Sequence, residues 1–414
     1  MDAERWVAPF SRFARTDRWV APFVLDATWT NRVRLSHNGA MKHCSLISVA
    51  GIVTLALLVI VGQWRIAVQQ HSLPVTVIHH THGVMGTDCA MAVVTVQARA
   101  ESAKAVLDEA EATLRRLEAA MSSWLDDSEI AQFHAAPVGV QVPLSPDTLA
   151  VLIAARDAYE RTDRTFDVTC RPQLDLWRRA SQQNEAPTAE QLAAARAASC
   201  WNGVQLTSTG IIKLRPDVSL DLGGIAKGYA IDRALEILQD AGFHGGLVDV
   251  GGDLACFGMQ LGDQPWLVDI RDPDVPGSLV RLQIVDRAVA TSGDYARRIQ
   301  IADRYYSHII DPREGRPTEA ARSVTVVAPT AIVADIWATA LSILGSDGLE
   351  RLPEDVEALI VADTGAQRRV VSTPGFRNLL TSSPPADWRV WPDAREDDAD
   401  DAQQLATSSD QARR

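Results

Sequence analysis

Ser219–Asp232 reads SLDLGGIAKGYAID. A strand-like run ends at Leu220–Asp221, Gly223–Gly224 interrupts it, and helical spacing then runs from about Ile225 to Asp240, where Gly242 ends it. Amides at a helix N-terminus, approached across glycines that carry no side chain, suit a phosphate. Lys227 adds positive charge in the first turn, where an anion would sit. The same letters also fit a plain strand–turn–helix link with a surface lysine, and they match neither GxGxxG nor GxxxxGK[ST].

Upstream, the spacing predicts strands from about Val75 to Val96, a helix over 100–121 with Val106, Leu107, Leu114 and Leu117 on one stripe, and a helix over 145–161 capped by Ser145 with Pro146 in its first turn. Ser181–Cys200 is polar, then Ala-rich, and predicts a surface helix. Ile211–Leu214 and Val218–Leu220 suggest a hairpin leading into the glycine turn. Downstream, short alternating strands fill Gly245 to Val326 and a helix covers about Ala331–Leu344. Helices and strands alternate without a βαβ period, so the expected class is α+β: mostly antiparallel sheets flanked by helices.

Two further segments carry polar groups suited to chemistry. ATSGDY (Ala290–Tyr295) offers hydroxyl and amide donors in a loop, or a simple hairpin turn. YSHIIDPREGRP starts at Tyr306, and its His308 beside an apolar pair reads, taken alone, as structural. In VADIWATAL, Asp335 and Thr339 stand one helical turn apart on one face. With a backbone carbonyl they would suit a hard cation such as Mg²⁺ or Ca²⁺, although an acid near a helix start is favoured by the dipole in any case.

A chain of 414 residues can bury a large core, and its net charge of -13 argues against a nucleic-acid surface. From Asp387 to the end there are eight acids and four arginines, with Pro384 and Pro385 just before. Residues 382–414 are therefore expected to form a disordered acidic tail. Cys44, Cys89, Cys170, Cys200 and Cys256 show no CxxC spacing. An oxidising compartment would allow one or two disulfides, and buried apolar thiols fit equally well.

Leu46–Gly62, LISVAGIVTLALLVIVG, carries no charge and lies near the short limit for a bilayer span. Lys42 and several arginines precede it and only Arg65 follows closely, which orients the rest of the chain outward. Residues 41–65 thus read as an uncleaved signal anchor. RWVAPF occurs twice upstream, at Arg5–Phe10 and Arg18–Phe23. Met41 opens what looks like an export signal, so residues 1–40 are expected to be a non-structural extension.

Together these segments resemble the ApbE-type FAD:protein FMN transferases, over about His80 to Leu344. GVMGT (83–87), MSSWLDDSEI (121–130), FDVT (166–169) with Pro172 and Trp177, DLGGIAKGYAID, ATSGDY with YSHIIDP, and SVTVVAP with ADIWATA occur in the family's order. The resemblance implies one catalytic domain over residues 75–381. It implies FAD contacts at or beside Met85, Ser122, Asp167, Val168, Thr169, Asp221, Lys227, Ser292, Gly293 and Ile309. It implies Mg²⁺ ligation by Asp335, Thr339 and the Gly224 carbonyl, and it moves His308 beside the reacting phosphate, with Asp294 as a second candidate base.

The implied reaction moves FMN from FAD to a Thr or Ser hydroxyl of an exported acceptor flavoprotein, releasing AMP, at the outer face of a bacterial inner membrane. Hydrolysis of FAD to FMN and AMP by the same site, or flavin binding without catalysis in a membrane redox complex, are the competing readings. The sequence departs from the family pattern at Cys170-Arg171-Pro172-Gln173, at Arg178-Arg179-Ala180 after Trp177, at His134 in place of a common Asn, and at Asp249 before Gly251–Gly252.

Overall fold

SVTVVA (Ser323–Ala328) is buried at every position, as a strand covered on both faces must be. It lies inside a nine-stranded sheet whose spatial order follows the chain: Pro74–Val84, Thr87–Val96, Gly245–Val250, Asp253–Gly258, Ala288–Gly293, Ser323–Ala328, Glu357–Asp363, Arg368–Ser372 and Trp388–Val390. Every neighbouring pair is antiparallel except the last, which is parallel. The computed structural model describes residues 42–293, 298–363, 368–384 and 388–392.

Successive side chains of a strand point to opposite faces, so each strand serves two cores. Met91, Val93, Val248, Val324 and Val326 face helices α2 (Ala100–Met121), α7 (Ala226–Asp240) and α8 (Ala331–Leu344). The helices meet them with Leu107, Leu114 and Leu117, with Ile231 and Leu238, and with Trp337 and Leu341. Val94, Leu254, Val289, Val327 and Val361 face the other way, against the Trp266–Arg271/Ser278–Ile284 hairpin and Phe376. The α+β class with a mostly antiparallel sheet is as the sequence predicts.

The caps explain where helices start. Ser145 accepts the amide of Thr148 at 3.3 Å and Pro146 fills the first turn of α4 (Pro146–Arg161). Ser128 caps α3 (Glu129–Ala135) through Ala131 N. The polar 181–200 stretch holds the end of α5 (Arg171–Gln183) and then α6 (Ala189–Ala198), which begins with a capping box between Thr188 and Gln191. Leu176, Trp177 and Leu192 of this pair pack on Ile301 and Ile310 as a third, smaller core.

Two expectations are corrected. The hairpin is formed by Val204–Thr207 with Gly210–Lys213, and Val218–Leu220 belongs to no strand. Leu220 N is instead taken by a histidine side chain. The acidic tail does not begin at 382, because Trp388–Val390 is the last strand of the main sheet. Trp388 is buried and donates its indole N–H to Ser372 Oγ at 2.8 Å. The rest of that tail, residues 393–414, lies outside the described residues, as does the 1–40 extension. Cys89, Cys170, Cys200 and Cys256 are free thiols; Cys89 and Cys256 are buried, and Cys170 and Cys200 are half-buried.

The chain divides into two units, Met1–Arg65 and Ile66–Arg414. The part of helix α1 (Lys42–His71) that lies in the first carries the apolar run, and Val53, Leu55, Leu57, Leu58 and Ile60 are exposed. The long apolar stretch Ala331–Arg351, which is α8 followed by a 3-10 segment (Gly345–Arg351), has its most apolar window 67% buried, so its hydropathy reflects packing.

Candidate active site

Gly223–Gly224 turns the chain directly against α8. A methyl group placed on Gly224 would lie 3.0 Å from Thr339 Oγ1 and 3.2 Å from the Phe166 ring. One turn earlier on α8, Asp335 is only 5% exposed and accepts the amide of Gly228 at 3.1 Å. Gly228 is where α7 and α8 touch: a Cβ there would collide with the Ala331 backbone. Asp232, one turn further along α7, accepts Ala331 N at 2.7 Å and Ile332 N at 2.9 Å and so caps α8. The three residues expected to hold a cation, Gly224, Asp335 and Thr339, are thus brought together by one helix–helix contact.

Their charge environment fits a cation. Burial raises the Asp335 carboxyl above its ordinary range, opposed by Lys227 and by the Gly228 amide. Lys227 forms an ion pair with Asp253, a buried acid at the start of its strand. Asp253 also accepts Thr291 N at 3.0 Å, which ties the ATSG strand, with Ser292 and Gly293 at its end, to the same group. Asp249 accepts Gly252 N at 2.8 Å, and burial raises its carboxyl also, with Lys227 opposing. Among the described residues no three His, Cys, Asp or Glu side chains converge. A buried carboxylate with a hydroxyl and a carbonyl is a hard, incomplete donor set. Such a set fits an octahedral ion that takes its remaining oxygens from water and from a phosphate substrate.

The other expected flavin contacts border this centre. Val168 O accepts Asp221 N at 2.8 Å, which sets FDVT beside DLGG. Asp167 accepts both the amide and the hydroxyl of Thr169, at 2.8 and 2.7 Å, while burial pushes its carboxyl up to about 6. Ser122 ends α2, and the next residue, Ser123, donates to Asp221 Oδ2 at 3.5 Å. Met85 and Gly86, with φ of 51° and 75°, form the two-residue turn of the first hairpin. Glu118 holds that turn by accepting Met85 N at 2.8 Å.

His308 and Ile309 are half-buried between the Arg304–Ser307 and Ile310–Asp311 strands. Ser307 Oγ accepts Ile309 N at 3.1 Å, and Ile309 O accepts Thr318 N at 2.9 Å. Helix α5 links this loop to the centre. Trp177 packs against Tyr306 as a tilted ring pair at 5.2 Å and donates to Gly315 O at 2.9 Å, and Gln173 donates to Pro312 O at 3.0 Å. Asp294 lies outside the described residues.

Sequence reasoning missed Asp253, Asp232 and Gly228. The available signal was an acid opening an otherwise apolar strand, DLACFG, because a buried acid needs a partner. Sequence reasoning marked Arg171, Arg178 and His134 only as departures from the family pattern, without their partners. Arg171 chelates Asp175 through Nε at 2.9 and 3.0 Å and lies over the Trp124 ring at 5.4 Å. Arg178 lies over the same ring at 4.5 Å and pairs with Asp175 at 3.0 Å. His134 Nε2 accepts Leu220 N at 2.9 Å.

The family model described as the ApbE family matches residues 85–360. The chain is 30% identical over 315 residues to the FAD:protein FMN transferase of Vibrio cholerae, covering 74% of this chain and 94% of that one. It is 30% identical over 273 residues to the Salmonella typhimurium protein of the same description, covering 63% and 78%. Among solved structures, the flavin transferase ApbE from Vibrio cholerae aligns with a TM-score of 0.65 at 28% identity, over 75% of this chain and 100% of that one. The apo flavinyl transferase ApbE of Pseudomonas stutzeri gives 0.67 at 27%, over 75% and 98%.

Proposed function

The chain belongs to the ApbE family, and from that premise we propose how it works as an FAD:protein FMN transferase. It is a transferase that takes FMN from FAD and attaches it to a protein. In our reading the acceptor group is a Thr or Ser hydroxyl of an exported flavoprotein and the ion is Mg²⁺. When bound, Mg²⁺ would neutralise pyrophosphate charge and polarise the phosphorus next to riboflavin. The observation that carries this is the meeting of Gly224, Thr339 and buried Asp335 at the Gly223–Gly224 turn.

The chain's own residues supply position and charge. Asp335 and Thr339 present two oxygens from one face of α8, which Asp232 fixes at its first turn. Lys227, held by Asp253, supplies positive charge in the first turn of α7 beside the anion. His308, on its anchored loop, is the base that takes the acceptor hydroxyl proton as the oxygen attacks in line. The charge-free run of α1 supports an anchor in the bacterial inner membrane, with the catalytic unit on the outer, periplasmic side.

The test is incubation with FAD, Mg²⁺ and candidate exported flavoproteins, read by mass spectrometry of the acceptor. Covalent FMN on the parent reaction is expected. Asp335→Ala should lower its rate by about two orders of magnitude or more, as loss of several kcal/mol of charge stabilisation implies. Rapid AMP release without acceptor, with no FMN on any acceptor, would replace this reading by FAD hydrolysis.

A further inference from the structure

Arg171 and Arg178 belong to a four-charge cluster with Asp175 and Asp221. Arg171 Nη1 is 3.6 Å from Asp221 Oδ2, and Arg178 Nη2 is 3.8 Å from it. Asp175 takes the other ends of both arginines. The Arg171 and Asp221 side chains are each 14% exposed, so solvent screens their pairing only partly. Asp221 reaches the catalytic turn itself, because its Oδ1 accepts Gly223 N at 2.9 Å.

This arrangement creates a charge problem that the arginines solve. A carboxylate beside the Gly223–Gly224 turn secures the turn but repels a pyrophosphate seated there. We propose that Arg171 is a positioning residue that cancels the charge of Asp221, so that the turn keeps its carboxylate brace and still accepts the anionic dinucleotide. Arg178 and Asp175 complete a cluster with no net charge. Both guanidiniums also lie over the Trp124 ring. The inference rests on the transferase reading, and it assigns Arg171 to FAD affinity rather than to the chemical step.

Charge arithmetic makes the test specific. Arg171→Gln leaves the cluster with one uncompensated negative charge, and Arg171→Gln with Asp221→Asn restores neutrality while Asn keeps an oxygen for Gly223 N. In titrations of flavin fluorescence with FAD and Mg²⁺, R171Q should bind FAD about tenfold more weakly than the parent, and the deficit should shrink in added salt. The double variant should bind FAD more tightly than R171Q, and Arg171→Lys, which keeps the charge, should stay within about threefold of the parent. A purely structural Arg171 predicts the reverse, because a second substitution in the brace would weaken binding further. R171Q binding like the parent, or a double variant no tighter than R171Q, overturns the proposal alone. A parent that takes up no FAD overturns the transferase reading with it.

Discussion

His134 supports the catalytic turn by accepting rather than donating: its Nε2 takes the Leu220 amide at 2.9 Å, which requires that nitrogen to be unprotonated. Burial, then the charges of Arg171 and Lys213, push its pKa down to about 4. Lys213 in turn donates to the His134 carbonyl at 2.6 Å. With the folded value below the unfolded one, the unfolded chain binds more protons between about pH 6.5 and 4, and stability contributed by His134 is lost as pH falls through that window. The difference corresponds to at most roughly 3 kcal/mol. Buried Asp167 and Asp232, both raised to about 6, act in the opposite sense, so the comparison must be between variants. His134→Asn, which offers an oxygen to the same amide, should flatten the acid side of the stability profile in urea melts from pH 7 to 4. Parallel profiles for parent and variant would reject this role. The sequence marks His134 as unusual but not as an acceptor, because its partner lies 86 residues away.

Between elements, the α7–α8 contact is the tightest constraint on the site. Gly228→Ala would force the helices apart at the amide that Asp335 accepts. Overpacking of this kind should cost about 1–3 kcal/mol in urea denaturation and should weaken Mg²⁺-dependent FAD binding in the same variant. An unchanged urea midpoint would show that the helices have room to spare. The helices themselves were legible: Ser145–Pro146, the stripe of α2 and the glycine stop after α7 are local signals, and they mark observed ends. Strand partners were not. Val204–Thr207 turns into Gly210–Lys213 through Ser208–Thr209, a loop without the Asn-Gly or Gly-Gly letters that announce a hairpin. Of the site, Asp335 and Thr339 were visible because helical spacing alone places them on one face, whereas Asp253 became visible only when its strand came alongside Thr291.

Across the whole molecule, the sheet ends at its far edge in a three-residue strand, Trp388–Val390, whose buried side chain is Trp388. The indole packs on Phe376 at 6.2 Å and completes the core opposite the helices. Trp388→Ala should destabilise the protein by about 3–5 kcal/mol, read as a drop in the urea midpoint, with little effect on FAD affinity because the site lies on the helical face. A variant as stable as the parent would mean that this strand is an accessory. The SLDLGGIAKGYAID stretch shows the same dependence on distant parts. Its first amides are taken by His134 and Val168, its aspartate is matched by arginines from α5, and its glycine turn is shaped by α8. The letters that advertise the chemistry therefore carry only part of their own scaffolding, the Asp221 brace on Gly223 N and the turn bonds to Leu222 O. A peptide spanning Ser219–Asp232, or a graft of it into a foreign sheet, would preserve the signature and forfeit the cradle.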